Sequence, residues 1–304
     1  MADLRVNVAG IDLKNPVIAA SGTFGFGRQF LPYMKLNRIG GISVKGLTLK
    51  PRQGNPAPRI AETPGGILNS VGLQNPGVEA FIRDEVPWLA DYDLQIIANI
   101  SGNTVDEYCR MAELINEVPE VAAIEVNVSC PNVKEGGVAF GVLPALIEEL
   151  TAKIKRIYGK TVMVKLTPNV TSITETAKAA EAGGADCVSL INTVLGMAID
   201  INTRRPILKN NTGGLSGPCV KPIAVRMVSE VYRTVKIPII GMGGISTGED
   251  AVEFLLAGAS AVMVGTANMV DPAVSVKIID GIETYLDKHG YASVTNIVGT
   301  LELY

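Results

Sequence analysis

Short apolar runs recur along the chain, and most are followed by glycine, hydroxyl or amide residues and then by apolar positions three and four apart. Eight of these runs predict strands at about 17–20, 41–45, 95–99, 123–127, 162–166, 187–191, 237–241 and 261–264. Apolar stripes at helical spacing predict helices over 104–118, 143–158, 172–182, 220–232 and 248–256. Strands that are apolar almost throughout, and polar mainly at their C-terminal ends, suit a parallel sheet covered on both faces. The predicted fold is therefore α/β, a (β/α)8 TIM barrel, with an open doubly wound sheet as the alternative. Ahead of the first strand, residues 4–8 and 11–13 alternate about an Ala9-Gly10 turn and predict a small β-hairpin.

Local signals agree with these boundaries. Thr247-Gly248-Glu249-Asp250 reads as a helix cap with an acidic first turn, while Ala182-Gly183-Gly184 and Ala257-Gly258 read as helix stops. No linker or low-complexity tail divides the chain, so 1–304 is read as a single domain. Three irregular stretches, 46–76, 131–142 and 192–218, follow predicted strands and should elaborate the C-terminal face of a barrel.

The polar residues at strand ends carry the chemistry. Ser21, Lys45, Asn99, Asn127, Lys165, Asn192-Thr193, Gly241-Met242-Gly243-Gly244 and Gly265-Thr266 each fall at or just beyond a predicted strand. One amide in such a place often does no more than satisfy backbone groups, but a full ring of them predicts a ligand site. Gly243, Gly244 and Gly265 would let backbone N–H groups approach phosphate oxygens, with Thr266 beside them and the helix near Thr247 adding its dipole. Tight turns without a ligand are the plainer reading of the same glycines. No GxGxxG or GxxxxGK[ST] motif stands in a strand-to-helix context, which favours a barrel phosphate cup over a Rossmann site. Lys45 and Lys165 end otherwise apolar strands and would present positive charge from a fixed scaffold.

Cys130 follows the fourth strand in Asn127-Val128-Ser129-Cys130-Pro131-Asn132, whereas Cys109 falls in a helical stripe and Cys187 in a strand. Cys130 is the candidate catalytic thiol, and a plain loop thiol is its alternative. The single histidine, His289, sits far away in a C-terminal helical segment, so proton abstraction suits Cys130 better than protease-like attack. The segment Asn69, Ser70, Val71, Gly72, Leu73, Gln74, Asn75 concentrates donors and acceptors. It suits either a planar heterocycle with ring N–H and C=O groups or a turn network. Asparagines at 69, 127, 132 and 192 favour an amide-like ligand.

Composition narrows the partners. A net charge of -3 gives no global field for nucleic acid. No apolar stretch reaches the roughly 18 residues of a membrane span, and the protein is read as cytoplasmic. The four cysteines include no CxxC pair, so neither a metal site nor an iron–sulfur cluster is expected in this chain.

The ordered set AASGTFGFG (19–27), SVKGLTLKPRQGNPAPR (43–59), NSVGLQNPG (69–77), EVNVSCPN (125–132), GMGGI and MVGT resembles the class 1 dihydroorotate dehydrogenases, FMN enzymes of pyrimidine biosynthesis, over essentially the whole chain. The resemblance implies FMN contacted by Ser21, Lys45, Gly46, Asn99, Asn127, Lys165, Ile191, Gly217, Gly243, Gly244, Gly265 and Thr266. It implies dihydroorotate held by Lys45, Asn69, Ser70, Val71, Gly72, Leu73, Asn127, Asn192 and Thr193. Cys130 would take the C5 proton while hydride passes from C6 to flavin N5, with Lys165 stabilising charge on the flavin. The stretches at 192–206 and 210–218 are most similar to the NAD-linked class 1B form. That form implies a partner subunit carrying FAD and a [2Fe–2S] cluster, two copies of each chain, and NAD+ as the final acceptor. The fumarate-linked class 1A form, oxidation of another dihydropyrimidine or of dihydrouridine in RNA, and a flavin-binding scaffold without turnover are the competing readings.

Overall fold

The computed structural model describes residues 2–129 and 140–304. Eight strands close into one parallel barrel in chain order: β1 (Val17–Ala19), β2 (Gly41–Ser43), β3 (Gln95–Ile100), β4 (Val121–Asn127), β5 (Thr161–Lys165), β6 (Cys187–Leu190), β7 (Ile239–Met242) and β8 (Ala261–Val264). Each predicted strand is present with its bounds moved by at most two residues, and closure settles the choice against the open sheet. Apart from Gln95, the residues of β1 to β3 and all of those of β5 to β8 are buried, which is why these runs read as continuous rather than alternating.

The five predicted helices are α1 (Val105–Asn116), α2 (Pro144–Ile157), α3 (Ile173–Ala182), α4 (Lys221–Tyr232) and α5 (Gly248–Leu256). On α1, Tyr108, Met111, Ala112 and Ile115 form the buried stripe that its spacing predicts. Thr247 caps α5 in a full capping box: its side chain accepts the Asp250 N–H, while Asp250 Oδ2 accepts the N–H of Thr247 and of Ser246. The long α6 (Val274–His289) follows β8 after the single turn Ala267–Val270. A helical segment over residues 78–89 completes the unit after β2; its Pro87 and Trp88 hide the stripe from a simple periodicity test.

The N-terminal hairpin, Val6–Val8 with Ile11–Leu13, covers the N-terminal end of the barrel. Thr161, which opens β5, donates its hydroxyl to the Ala9 carbonyl in the hairpin turn. At the other end, two of the irregular stretches build a second sheet. Ile60–Thr63 and Gly66–Asn69 from the segment after β2 join Gly213–Ser216 and Val194–Gly196 from the segment after β6 as four antiparallel strands. Ala61, Leu68 and Leu208 form its small separate core. The expectation that these stretches crown the C-terminal face holds for both; most of 131–142 lies outside the described residues.

One helix contact depends on paired glycines. A Cβ on Gly248 of α5 would lie 2.6 Å from Gly281 Cα of α6, and a Cβ on Gly281 would lie 2.8 Å from Gly248 Cα. Alanine at 281 gains about 1 kcal/mol of helix propensity, but forcing backbone against backbone costs about 1–3 kcal/mol. Gly281→Ala is expected to lower the denaturant midpoint, a net loss of roughly 1 kcal/mol; an unchanged or higher midpoint would mean that the helices separate freely.

Candidate active site

The strand ends converge on one rim. Asn99 and Ser43 are fully buried in the barrel, Lys165 is buried at the end of β5, and Ser21, Asn127, Asn192, Thr193, Gly243, Gly244, Gly265 and Thr266 are half-buried around them. Parallel register sets this up: Asn127 of β4 pairs with Lys165 of β5, which pairs with Ser189 of β6.

The centre is polar and tightly bonded. Lys165 Nζ donates to Ser21 Oγ at 3.3 Å and lies 4.0 Å from Glu125 Oε2. The Glu125 carboxylate, fully buried, accepts from Ser43 Oγ at 2.7 Å, Asn99 Nδ2 at 2.6 Å and Ser189 Oγ at 2.7 Å. Burying a charge is tolerated only with such pairing. Asn99 Oδ1 is left buried without a partner among the described residues, and a Cβ on Gly46 would lie 3.0 Å from it. The sequence reading missed Ser43, Glu125 and Ser189. Each is a lone polar residue inside an apolar strand, and their shared level across β2, β4 and β6 is the signal that could have found them.

At the ends of β4 and β6, Asn192 Nδ2 donates to Asn127 Oδ1 at 3.3 Å, and Asn127 Oδ1 also accepts the Ser129 N–H at 3.1 Å. The Asn127 carbonyl is held by the Tyr108 hydroxyl at 2.7 Å. Asn192 Oδ1 accepts the Thr193 N–H, and Ile191 is anchored by its N–H on the Met242 carbonyl. The second sheet brings Asn69 to the same region, its Nδ2 donating to the Gly214 carbonyl at 3.3 Å. Ser70 Oγ is buried and unpartnered among the described residues, while Gly72 and Leu73 turn the chain with positive φ. The turn network of this segment is present. Asn75 is spent on a turn network with Thr48, Leu73 and Gly77, whereas Ser70 keeps free hydrogen-bonding capacity.

The glycine cradle lies across β7 and β8. Gly243 and Gly244 have φ of 124° and 82°, a conformation that disfavours side chains, and a Cβ on Gly244 would meet the Gly217 carbonyl at 2.8 Å. A Cβ on Gly265 would by contrast make only ordinary contact, with Ala20 at 3.7 Å. Thr266 Oγ1 donates to Ser216 Oγ at 2.8 Å, tying the barrel to the second sheet. At the start of α5 the Asp250 carboxylate accepts the N–H groups of Ser246 and Thr247, which lie ahead of the first helical residue, Gly248.

Lys45 is half-buried, with its N–H on the Gly25 carbonyl. Burial, and then the neighbouring Arg59 guanidinium, hold its amine below the ordinary lysine range. The folded chain thus binds this proton less firmly than the unfolded chain, which destabilises the fold while the amine is charged. The penalty is full below the folded pKa, fades as pH rises through it, and is gone above the unfolded value of about 10.4. Lys45→Met is expected to stabilise the ligand-free chain at neutral pH, with the gain shrinking at alkaline pH. Urea melts at the two pH values check this, and a gain that grows with pH would contradict it.

Cys130 and Asn132 lie outside the described residues. Cys109 sits on α1, Cys187 is buried in β6 with its thiol pushed up by that burial, and Cys219 is exposed beside Gly65 and Gly66. No cluster of three His, Cys, Asp or Glu side chains suited to a metal occurs among the described residues, and none of their helices is long and apolar enough to cross a membrane.

Comparison with known proteins returns the family that the motifs resemble. A dihydroorotate dehydrogenase family model matches residues 3–286. The chain is 56% identical over 303 residues to the dihydroorotate dehydrogenase B (NAD(+)) catalytic subunit of Bacteroides fragilis, covering 100% of both chains. It is 56% identical to the protein of that name from Parabacteroides distasonis, covering 100% of this chain and 99% of the relative, and 56% identical over 299 residues to that of Alkaliphilus oremlandii. A closed parallel barrel, a ring of polar strand ends and full-length similarity at this level place the chain in the dihydroorotate dehydrogenase family.

Proposed function

We propose that this chain is the catalytic subunit of an NAD-linked dihydroorotate dehydrogenase, oxidising dihydroorotate to orotate in pyrimidine biosynthesis with FMN bound over the barrel rim. The observation that carries the reading is the juxtaposition of a buried lysine, a lone amide oxygen and a glycine cradle on one rim. These residues fit the cofactor. The unpartnered Asn99 Oδ1 suits a ring N–H, Lys165 and Ser21 suit electron-rich ring atoms, and Gly243, Gly244, Gly265 and Thr266 suit a phosphate. Lys45, Gly46, Asn127, Ile191 and Gly217 complete the set. Bound there, FMN supplies a two-electron acceptor.

The chain's own residues bind and prepare the substrate. Asn127 and Asn192, joined to each other, and Thr193 offer amide and hydroxyl groups to the dihydropyrimidine ring. Asn69, Ser70, Val71, Gly72 and Leu73 close over it, and Lys45 beside Arg59 attracts its carboxylate. Cys130 removes the C5 proton as general base. The relatives' name, a catalytic subunit of an NAD(+) enzyme, supports onward transfer through a partner subunit to NAD+, and the class 1B resemblance gives that partner FAD and a [2Fe–2S] cluster. Two copies of each chain make up the proposed assembly. Leu195 of the second sheet and Met197, Ile199 and Ile201 in the residues that follow it are exposed, and such apolar surface supports association with further chains.

The test is anaerobic mixing of the FMN-loaded chain with dihydroorotate. Bleaching of the flavin absorbance is expected, with little recovery on adding NAD+ without a partner. Retained colour despite bound FMN would overturn the substrate assignment, and rapid NAD+ reduction by the chain alone would overturn the divided electron path.

A further inference from the structure

We infer that Glu125 is a positioning residue for the flavin site, orienting the Asn99 amide as an acceptor and setting a negative charge beneath Lys165. The inference rests on the FMN reading above and deepens it. Glu125 is fully buried at the barrel centre, and its carboxylate gathers groups from β2, β3 and β6. A carboxylate only accepts hydrogen bonds, so Asn99 must turn its Nδ2 toward Glu125, at 2.6 Å. The amide oxygen then faces away, buried and without a partner among the described residues, beside Gly46. A buried acceptor without a donor is costly unless a ligand supplies one. Flavin rings carry one N–H between two carbonyls, and an amide held the other way would offer that N–H a second donor.

The same carboxylate lies 4.0 Å from Lys165 Nζ, which also donates to Ser21. At this distance in a buried site, the anion offsets part of the lysine charge. Neutralising Glu125 would leave that cation uncompensated and favour the more negative, reduced flavin. Glu125 thus acts on two groups at once: it fixes which end of Asn99 faces the cofactor, and it moderates Lys165.

Glu125→Gln keeps the shape and removes the charge, and its amide can meet Asn99 from either end. The FMN dissociation constant is expected to rise about tenfold, measured by titrating FMN into flavin-free protein. The midpoint potential is expected to become more positive by a tenfold change in the reduced-to-oxidised ratio, about 30 mV for a two-electron couple. Glu125→Asp, which retains charge, should return the potential to near that of the parent. A space-filling role predicts the opposite ranking, with Gln like the parent and Asp impaired, and that result would overturn the inference. Asn99→Ala should also weaken FMN binding, and far less so in the Glu125→Gln background, because the two act as one unit; additive losses would count against it. Should Glu125→Gln fail to fold, an Asn99→Ala protein with parental FMN affinity would overturn the inference by itself. A parent chain that takes up no FMN would defeat the functional reading, an outcome distinct from unchanged variants of a parent that binds it.

Discussion

Replacing Cys130 by alanine is expected to leave FMN uptake intact and to slow dihydroorotate-driven bleaching by about 10²–10⁴-fold, the usual contribution of a positioned general base. Of the proposed cofactor groups only Asn127 shares this segment, and it is fixed at the end of β4 by its pairing with Lys165, so removing one thiol from the stretch after β4 should not disturb them. The chain enters that stretch at the rim, where the Ser129 N–H bonds Asn127 Oδ1. The other thiols are poor substitutes: Cys187 is sealed in a strand, and burial followed by the Asp106 charge pushes the Cys109 thiol up on α1. Cys219 is exposed, so Cys219→Ala is the matched control and should bleach at the parental rate. A thiolate base also predicts a bleaching rate that rises with pH toward the free-thiol pKa of about 8.5, a limb that the Cys130→Ala protein should lack. Equal anaerobic rates in parent and Cys130→Ala would remove the base from this residue.

The barrel was legible in the sequence because its strands are buried on both faces. Runs such as Val162-Met163-Val164-Lys165 have little reason to be so apolar anywhere else, and the lysine at the end of one stood out for the same reason. The rim followed from the rule that places chemistry at the C-terminal ends of barrel strands. Two things were hidden. The second sheet pairs Gly66–Asn69 with Gly213–Ser216, segments separated by four of the eight barrel strands, and glycine-rich strands carry weak patterns of their own. Glu125 was hidden by its neighbours: between Ile124 and Val126 it reads as an interruption, and only closure of the barrel shows that Ser43, Asn99 and Ser189 meet it.

Lys165→Met is expected to separate the two roles that burial gives this lysine. Removing the cation takes away one preorganised electrostatic stabiliser, which should lower the rate of flavin reduction by dihydroorotate by about 10²–10³-fold. It also leaves Glu125 without a cation. Breaking a buried ion pair costs about 3–5 kcal/mol when the contact is close. Here the separation is 4.0 Å and three neutral donors still hold the carboxylate, so a loss of roughly 2 kcal/mol is expected in urea melts of the flavin-free chain. Adding Glu125→Gln to Lys165→Met removes the stranded charge and should recover most of that stability while leaving reduction slow. The double variant therefore decides whether the rate loss is chemical or merely a consequence of a weakened barrel. If stability and rate recover together, Lys165 serves the fold alone; if stability returns and the rate does not, its charge acts on the reaction.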